Sequence, residues 1–377
     1  TGHQHPRILK AIDEQMKAFS HVCFQVTPYE SYVRLAERLN AIAPVTGPAK
    51  TMLISTGAEA VENAVKVARV FTGRPGIISF TAGFHGRTLM GMALTGKVVP
   101  YKKGFGPFPA DVYQVEFPNA YHCLSVEQSL HSLKSLFKHT ADPSSIAGII
   151  IEPVQGEGGF NIAPPEFLRE LRAICDEHGI VLIADEIQTG FARTGRMFAM
   201  DHAGVKADVV TLAKGLAGGM PLAAITGRAD IMDASGPGGL GGTYAGNPVA
   251  CAAAHAVLDI IADEKLCDRA NAIGKIMMDR CNELAQRSNL NCVGDVRGLG
   301  AMCAIELVKD QKTHEPAPQL TQALLKAANA RGLILLSCGT YGNVIRFLSP
   351  LTASDELVRE GMDVFEAALT EAVSQTA

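Results

Sequence analysis

An α/β fold with a mainly parallel sheet flanked by helices is what this chain predicts, and three observations predict it. Short, continuous apolar runs alternate with amphipathic helical segments, the pattern of strands buried on both faces. The 377 residues are 47% hydrophobic, enough for a large core and a second, smaller domain. From about residue 288 the alternation gives way to strand-like runs bracketing one helix, the look of a smaller α+β domain.

Along the chain, residues 1–22 read as an N-terminal remnant, since the sequence opens at Thr1 and its natural start is expected to be missing. Residues 23–287 are expected to form the large domain and 288–377 the small one. Ser55-Thr56-Gly57 makes a turn, and Val61, Ala64, Val65, Ala68 and Phe71 then repeat at helical spacing. Residues 77–80 (IISF), 146–151 (IAGIII), 180–184 (IVLIA) and 208–212 (DVVTL) predict buried strands. Residues 166–178 predict a helix that stops at Gly179. Residues 234–258 lack Asp, Glu, Lys and Arg, but six glycines, two prolines and His255 exclude a membrane span. That stretch predicts a glycine-rich loop, then a buried helix capped by Asn247 with Pro248 at its first position. In the last part, 298–307 (GLGAMCAIEL), a helix over 318–331, 332–338 (GLILLSC) and 343–350 (NVIRFLSP) build the small domain.

Composition narrows the function. A net charge of −4, mixed along the chain, points to neither a nucleic-acid nor a membrane-surface partner. Nine cysteines without a CxxC pair or metal-like spacing suggest reduced thiols and a cytoplasmic enzyme. No secretory signal is visible.

The chemistry starts at the end of the IVLIA run, where two carboxylates, Asp185 and Glu186, follow a strand that should end in a turn residue. In open α/β sheets ligands sit beyond the carboxyl ends of strands, so Asp185 is expected to face a pocket. The turn at Gly57-Ala58 presents free backbone N–H groups and a helix dipole, a phosphate seat or else an ordinary helix cap. Lys214 stands between VVTLA and GLAGGM, small surroundings that suggest a buried amine able to form a Schiff base, or else a loop lysine. A phosphate seat, an amine and a buried carboxylate are what pyridoxal 5'-phosphate needs. Lys214 would hold its aldehyde, and Asp185 would keep its pyridine nitrogen protonated.

The motifs GHQHP (2–6), STGAEAVENAVKVAR (55–69), FHGRT (84–88), IIIEPVQGEGGF (149–160), LIADEIQTGFARTG (182–195), LAKGLAGGMP (212–221), GTYAGNP (242–248) and GLILLSCGTYGNVIRFLSP (332–350) span nearly the whole chain. With them the sequence resembles the class III, or ω-, aminotransferases of the fold-type I pyridoxal-phosphate enzymes, most closely the bacterial 4-aminobutyrate aminotransferases. The resemblance implies that Lys214 carries the cofactor, Asp185 contacts the ring nitrogen and Gln188 the phenolic oxygen. It implies phosphate binding by Gly57 and Ala58, and by Thr243 from the neighbouring subunit of a homodimer or a dimer of dimers. Phe84 would stack on the ring with His85 beside it, although many relatives have tyrosine at that position. Arg87 would take the distal carboxylate of an ω-amino acid and Arg346 the α-carboxylate of glutamate or 2-oxoglutarate. Glu157 would pair with Arg346 when the ω-amino substrate is bound, and Glu152 would shape the pocket. The implied reaction moves the amino group of 4-aminobutyrate to 2-oxoglutarate by a ping-pong mechanism. Other ω-amino donors (ornithine, acetylornithine, 5-aminovalerate) are the alternatives within the class.

A nicotinamide-dependent oxidoreductase is the alternative from another class, because residues 236–241 match GxGxxG. That motif must follow a strand and open a helix. Here it contains Pro237 and stops short of the next helix, so a loop is the expectation. His3 and His5 lack an acidic third ligand and suggest a structural loop, with no metal expected.

Overall fold

The computed structural model of the protein describes residues 1–376. They form two compact units: Thr1–Pro153 with Ala163–Phe191 and Arg196–Glu264, and Val154–Ile162 with Ala192–Gly195 and Lys265–Ala377. The division falls at Lys265, not at 288, and two short upstream segments belong to the second unit. The reason is packing: the helix Leu266–Ala285 lies against the sheet of the second unit. Residues 1–22 belong to the first unit, where the helix Pro6–Ala18 packs on the helix Pro248–Asp263.

The first unit is built on seven strands: β1 (Ala49–Ile54), β2 (Gly76–Phe80), β3 (Val112–Val115), β4 (Ile146–Ile151), β7 (Val181–Asp185), β8 (Val209–Leu212) and β9 (Ala223–Arg228). The intervening β5 (Val154–Gln155) and β6 (Asn161–Ile162) pair as a short ribbon in the second unit. The order across the large sheet is β1-β9-β8-β7-β4-β2-β3. Strands β3, β2, β4, β7 and β8 are mutually parallel, while β9 runs antiparallel to both β8 and β1. Two reversals cancel, so β1 points the same way as β8. The carboxyl ends of β1, β2, β4, β7 and β8 therefore share one edge of the sheet.

Burial on both faces explains the apolar runs: every residue of β2, β4, β7 and β8 is buried. The helix Gly57–Thr72 lays Ala60, Val61, Ala64, Val65 and Ala68 onto this sheet, among Ala147, Ile150, Val181, Ile183 and Val209. Each fully buried valine or isoleucine contributes about 1.5–3 kcal/mol. The helix Pro165–His178 stops at Gly179, whose φ of 63° is left-handed, as its sequence requires. Asn247 caps the helix Pro248–Asp263 by accepting from the Val249 N–H at 2.9 Å.

The second unit carries an antiparallel sheet of β10 (Val293–Leu299), β11 (Met302–Leu307), β12 (Leu336–Cys338) and β13 (Val344–Phe347), ordered β10-β11-β13-β12. The run 298–307 holds the end of β10, a turn and all of β11, which pair as an antiparallel hairpin. Gly300 turns it with a φ of 55°, and a Cβ there would lie 2.2 Å from the Thr194 backbone. Phe160, Met302, Ala304 and Val344 form a core cluster within this unit.

Candidate active site

The shared edge of the large sheet collects the residues that the motifs singled out. Ser55-Thr56-Gly57 follows β1, Phe84 and His85 follow β2, Glu152 follows β4, Asp185 ends β7, and Lys214 follows β8. Within the first unit they line one cavity of about 560 Å³, together with Ala58, Arg87 and Gln188. That volume lies within the range of small-molecule and cofactor sites.

Asp185 is 3% exposed and three donors converge on it. His85 Nδ1–H donates to Oδ2 at 2.8 Å; Thr211 Oγ1 and the Ile187 N–H donate to Oδ1 at 3.0 and 3.2 Å. The Thr211 bond follows from strand register, since Asp185 and Thr211 are direct partners across β7 and β8. Burial opposes protonation of His85, but its hydrogen bond to Asp185, the charge of Asp185 and that of Glu152 outweigh burial and raise its pKa. Glu152 is 7% exposed and accepts the Phe84 N–H at 2.8 Å, which fixes the FHG turn over the cavity.

Opposite lies the start of the helix Gly57–Thr72. Thr56 and Glu59 form a reciprocal capping box, Thr56 Oγ1 accepting the Glu59 N–H at 3.2 Å and Glu59 accepting the Thr56 N–H at 2.8 Å. The N–H groups of Gly57 and Ala58 stand in the first turn, where a helix offers them no partner. Space is tight here: a Cβ on Gly57 would press on the Ile187 Cδ1 methyl at 3.0 Å, and Gly86, at a φ of 115° that favours glycine, would set a Cβ 3.1 Å from Ala58 Cβ. Gln188 Oε1 is buried without a hydrogen-bond partner although Gln188 lines the cavity. An orphaned amide end, two first-turn N–H groups and a buried carboxylate fit the phenolic oxygen, phosphate and ring nitrogen of pyridoxal phosphate.

Lys214 departs from expectation. Its small-residue surroundings suggested burial. The residue is exposed, whereas Leu216 and Ala217 behind it are buried. A left-handed φ of 46° turns the chain sharply after β8 and brings Lys214 to the cavity wall. For a residue with a Cβ that conformation costs about 1–2 kcal/mol, the kind of strain found at functional sites.

Glu186, the second carboxylate, has a different job that sequence reasoning missed. It is fully buried and accepts from the Ala199 and Met200 N–H groups at 3.0 and 2.8 Å and from Thr189 Oγ1. It thus ties the loop after β7 to the start of the helix Met200–Ala203. Burial pushes its pKa up to about 7 against those donors. Alternation along the strand end was the available signal, since neighbouring residues face opposite ways.

Arg87 is exposed at the cavity wall, and among the described residues no carboxylate pairs with it. Its Cζ lies 5.4 Å from the ring centroid of Tyr101. Phe84 also touches Tyr101, with ring centroids 4.9 Å apart. Thr243 sits on an exposed loop and is not part of the cavity lining. Glu157 and Arg346 belong to the second unit, where Arg346 Nη1 donates to Glu157 Oε1 at 2.6 Å and Arg346 Nε is buried without a partner. The glycine pattern at 236–241 lies in the loop between the helices Ala229–Met232 and Pro248–Asp263, with no strand leading into it. His5 caps the helix Pro6–Ala18 and pairs with Glu264 at 2.9 Å.

The profile of the family described as aminotransferase class-III matches residues 1–369. The chain is similar to the 5-aminovalerate aminotransferase DavT of Pseudomonas putida, at 52% identity over 98% of this chain and 87% of the relative. It is 50% identical to the 4-aminobutyrate aminotransferase GabT of Escherichia coli, over 99% of this chain and 87% of that one. Among solved structures, an amine transaminase from an uncultivated Pseudomonas species in its pyridoxal-phosphate-bound form superposes with a TM-score of 0.89. That match has 31% identity and covers 100% of this chain and 88% of the other.

Proposed function

Because the chain belongs to the class III aminotransferases, a pyridoxal-phosphate-dependent family, we propose that it moves the amino group of 4-aminobutyrate to 2-oxoglutarate. Succinate semialdehyde and glutamate are the products of two alternating half-reactions. The observation that carries this reading is Arg87: a guanidinium that pairs with no carboxylate among the described residues lines the same cavity as the Lys214 amine. A 4-aminobutyrate molecule carries one carboxylate far from its amine and fits that pair of groups.

When bound, pyridoxal phosphate supplies an aldehyde that condenses with primary amines and a protonated ring that accepts an electron pair. Gly57 and Ala58 would hold its phosphate, Asp185 its ring nitrogen and Gln188 its phenolic oxygen, with Phe84 against the ring face. Thr243 would serve the phosphate site of a neighbouring subunit. The protein's own work is positioning and proton transfer. His85, donating to Asp185, fixes the carboxylate in the orientation that keeps a negative charge at the ring nitrogen. Arg87 grips the substrate's terminal carboxylate as a bidentate, charge-assisted pair, which sets the amine-bearing carbon at Lys214. Lys214 Nζ takes the proton from that carbon. In the second half-reaction Glu157 releases Arg346, which takes the α-carboxylate of 2-oxoglutarate.

A second reading, 5-aminovalerate as donor, is favoured by the 52% identity to DavT. The two donors differ by one methylene, a distinction commonly worth about ten- to two-hundred-fold. Incubating the holoenzyme with each donor and 2-oxoglutarate, then quantifying semialdehyde and glutamate, tests the proposal. Equimolar products from 4-aminobutyrate are expected. Product from 5-aminovalerate alone moves the assignment to the longer donor, and product from neither refutes both.

A further inference from the structure

We propose that Tyr101 is a positioning residue for substrate recognition, its ring holding the Arg87 guanidinium in the pose that takes the terminal carboxylate of an ω-amino acid. The inference rests on the role given to Arg87 above. Tyr101 lies outside every motif that points to the active site, on the turn-rich segment after Gly96. Its ring touches two cavity residues at once, Phe84 at 4.9 Å and Arg87 at 5.4 Å.

The chain of support runs from buried to exposed. Glu152 accepts the Phe84 N–H at 2.8 Å, and Thr95 Oγ1 accepts the His85 N–H at 3.2 Å, so the backbone of the FHG turn is fixed. Phe84 gives Tyr101 an aromatic wall, tilted 57° between ring planes. Tyr101 in turn is the group over which the exposed Arg87 lies. An arginine side chain left in solvent loses considerable rotamer freedom on gripping a ligand. Holding it beforehand removes part of that loss.

The chemistry of the holder matters. A carboxylate partner would consume the guanidinium's N–H donors and compete with the substrate. An aromatic ring attracts the cation through its face and leaves the five in-plane N–H donors available for a carboxylate. The structure thus pairs an arginine that must stay available with the kind of group that orders it without occupying its donors.

The test measures binding of butyrate and valerate, which carry the carboxylate and no amine, to the holoenzyme by calorimetry. It also measures KM and kcat for 4-aminobutyrate and, where turned over, 1-aminobutane. Tyr101→Leu should weaken both carboxylates and raise KM for 4-aminobutyrate about two- to thirty-fold, with kcat and the constants for 1-aminobutane unchanged. Tyr101→Phe should restore most of the loss. A trifluorinated phenylalanine at 101 keeps the ring's shape but removes its negative face, so it should behave like leucine; this variant decides the matter if Tyr101→Leu does not fold. Unchanged carboxylate binding overturns the proposal, as does equal loss for substrates with and without a carboxylate. Arg87→Ala is the control. If it too leaves butyrate binding unchanged, the role of Arg87 fails; if it alone weakens butyrate, only the role of Tyr101 fails.

Discussion

Replacing Glu157 by glutamine keeps the side chain's size and removes one charge from the pair with Arg346. The two groups approach to 2.6 Å, with side chains 22% and 11% exposed, so solvent screens them only in part. Two unit charges about 4 Å apart at an effective dielectric near 20 attract by about 4 kcal/mol, and desolvation takes back a share. A net worth of about 1–3 kcal/mol remains, or roughly five- to one-hundred-and-fifty-fold in an equilibrium. The backbone stays anchored, because the Gly339 N–H donates to the Glu157 carbonyl at 2.9 Å. If Arg346 serves the α-carboxylate as proposed, losing the competing carboxylate should favour glutamate, while 4-aminobutyrate should gain nothing from the unneutralised arginine. Glu157→Gln should therefore raise the rate of the glutamate half-reaction relative to the 4-aminobutyrate half-reaction by a factor in that range. Single-turnover absorbance measurements follow each half separately. A ratio that stays at its wild-type value would refute the division of labour between Glu157 and Arg346.

Three further outcomes are expected. Lys214→Ala should abolish turnover and the visible absorbance of the cofactor-loaded protein while leaving the far-ultraviolet dichroism intact; residual activity above about 1% of wild type would transfer the proton-transfer role elsewhere. Glu186 has a folded pKa of about 7, above the ordinary 4.5, so its contribution to stability is full below 4.5 and is lost as pH rises through 7. Urea unfolding should show the advantage of wild type over Glu186→Gln shrinking by up to about 3 kcal/mol between pH 5 and 8, and an advantage that grows instead would reverse the sign of the shift. Thr243→Ala should weaken cofactor retention in dialysis only if neighbouring subunits share the site, so mixing Thr243→Ala with Lys214→Ala protein should give some sites that carry neither change, and an absence of recovered activity in the mixture would count against sharing.

Much of the large sheet was legible because strands buried on both faces become unbroken apolar runs, as in IAGIII and IVLIA. Strand β9 escaped notice because AAITGR is small and mixed, and its place depends on antiparallel partners far away in sequence. The hairpin at Gly300 was not legible because β10 (VGDVRGL) carries Asp295 and Arg297 and only its last two residues fall in the run 298–307. Gly57, Ala58, Asp185 and Lys214 were readable from position and surroundings, whereas Phe84, His85, Arg87, Glu152 and Gln188 were named only through the family resemblance. What was not readable was depth. The small residues around Lys214 suggested burial, but they pack beneath a turn whose positive φ brings the lysine to the surface of the cavity. Tyr101 carried no signal at all, since its meeting with Phe84 and Arg87 is made by a loop without periodic pattern.

The central claim is that Arg87 recognises the carboxylate of an ω-amino acid whose amine reacts at Lys214. Its most direct test is kcat/KM for 4-aminobutyrate, 5-aminovalerate and 1-aminobutane, compared between wild type and Arg87→Ala. Loss of a bidentate charge-assisted pair should cost about 2–4 kcal/mol of transition-state binding, roughly thirty- to a thousand-fold, with the two amino acids and leave 1-aminobutane within about three-fold of wild type. An equal loss with all three amines, or no loss with 4-aminobutyrate, would contradict the account.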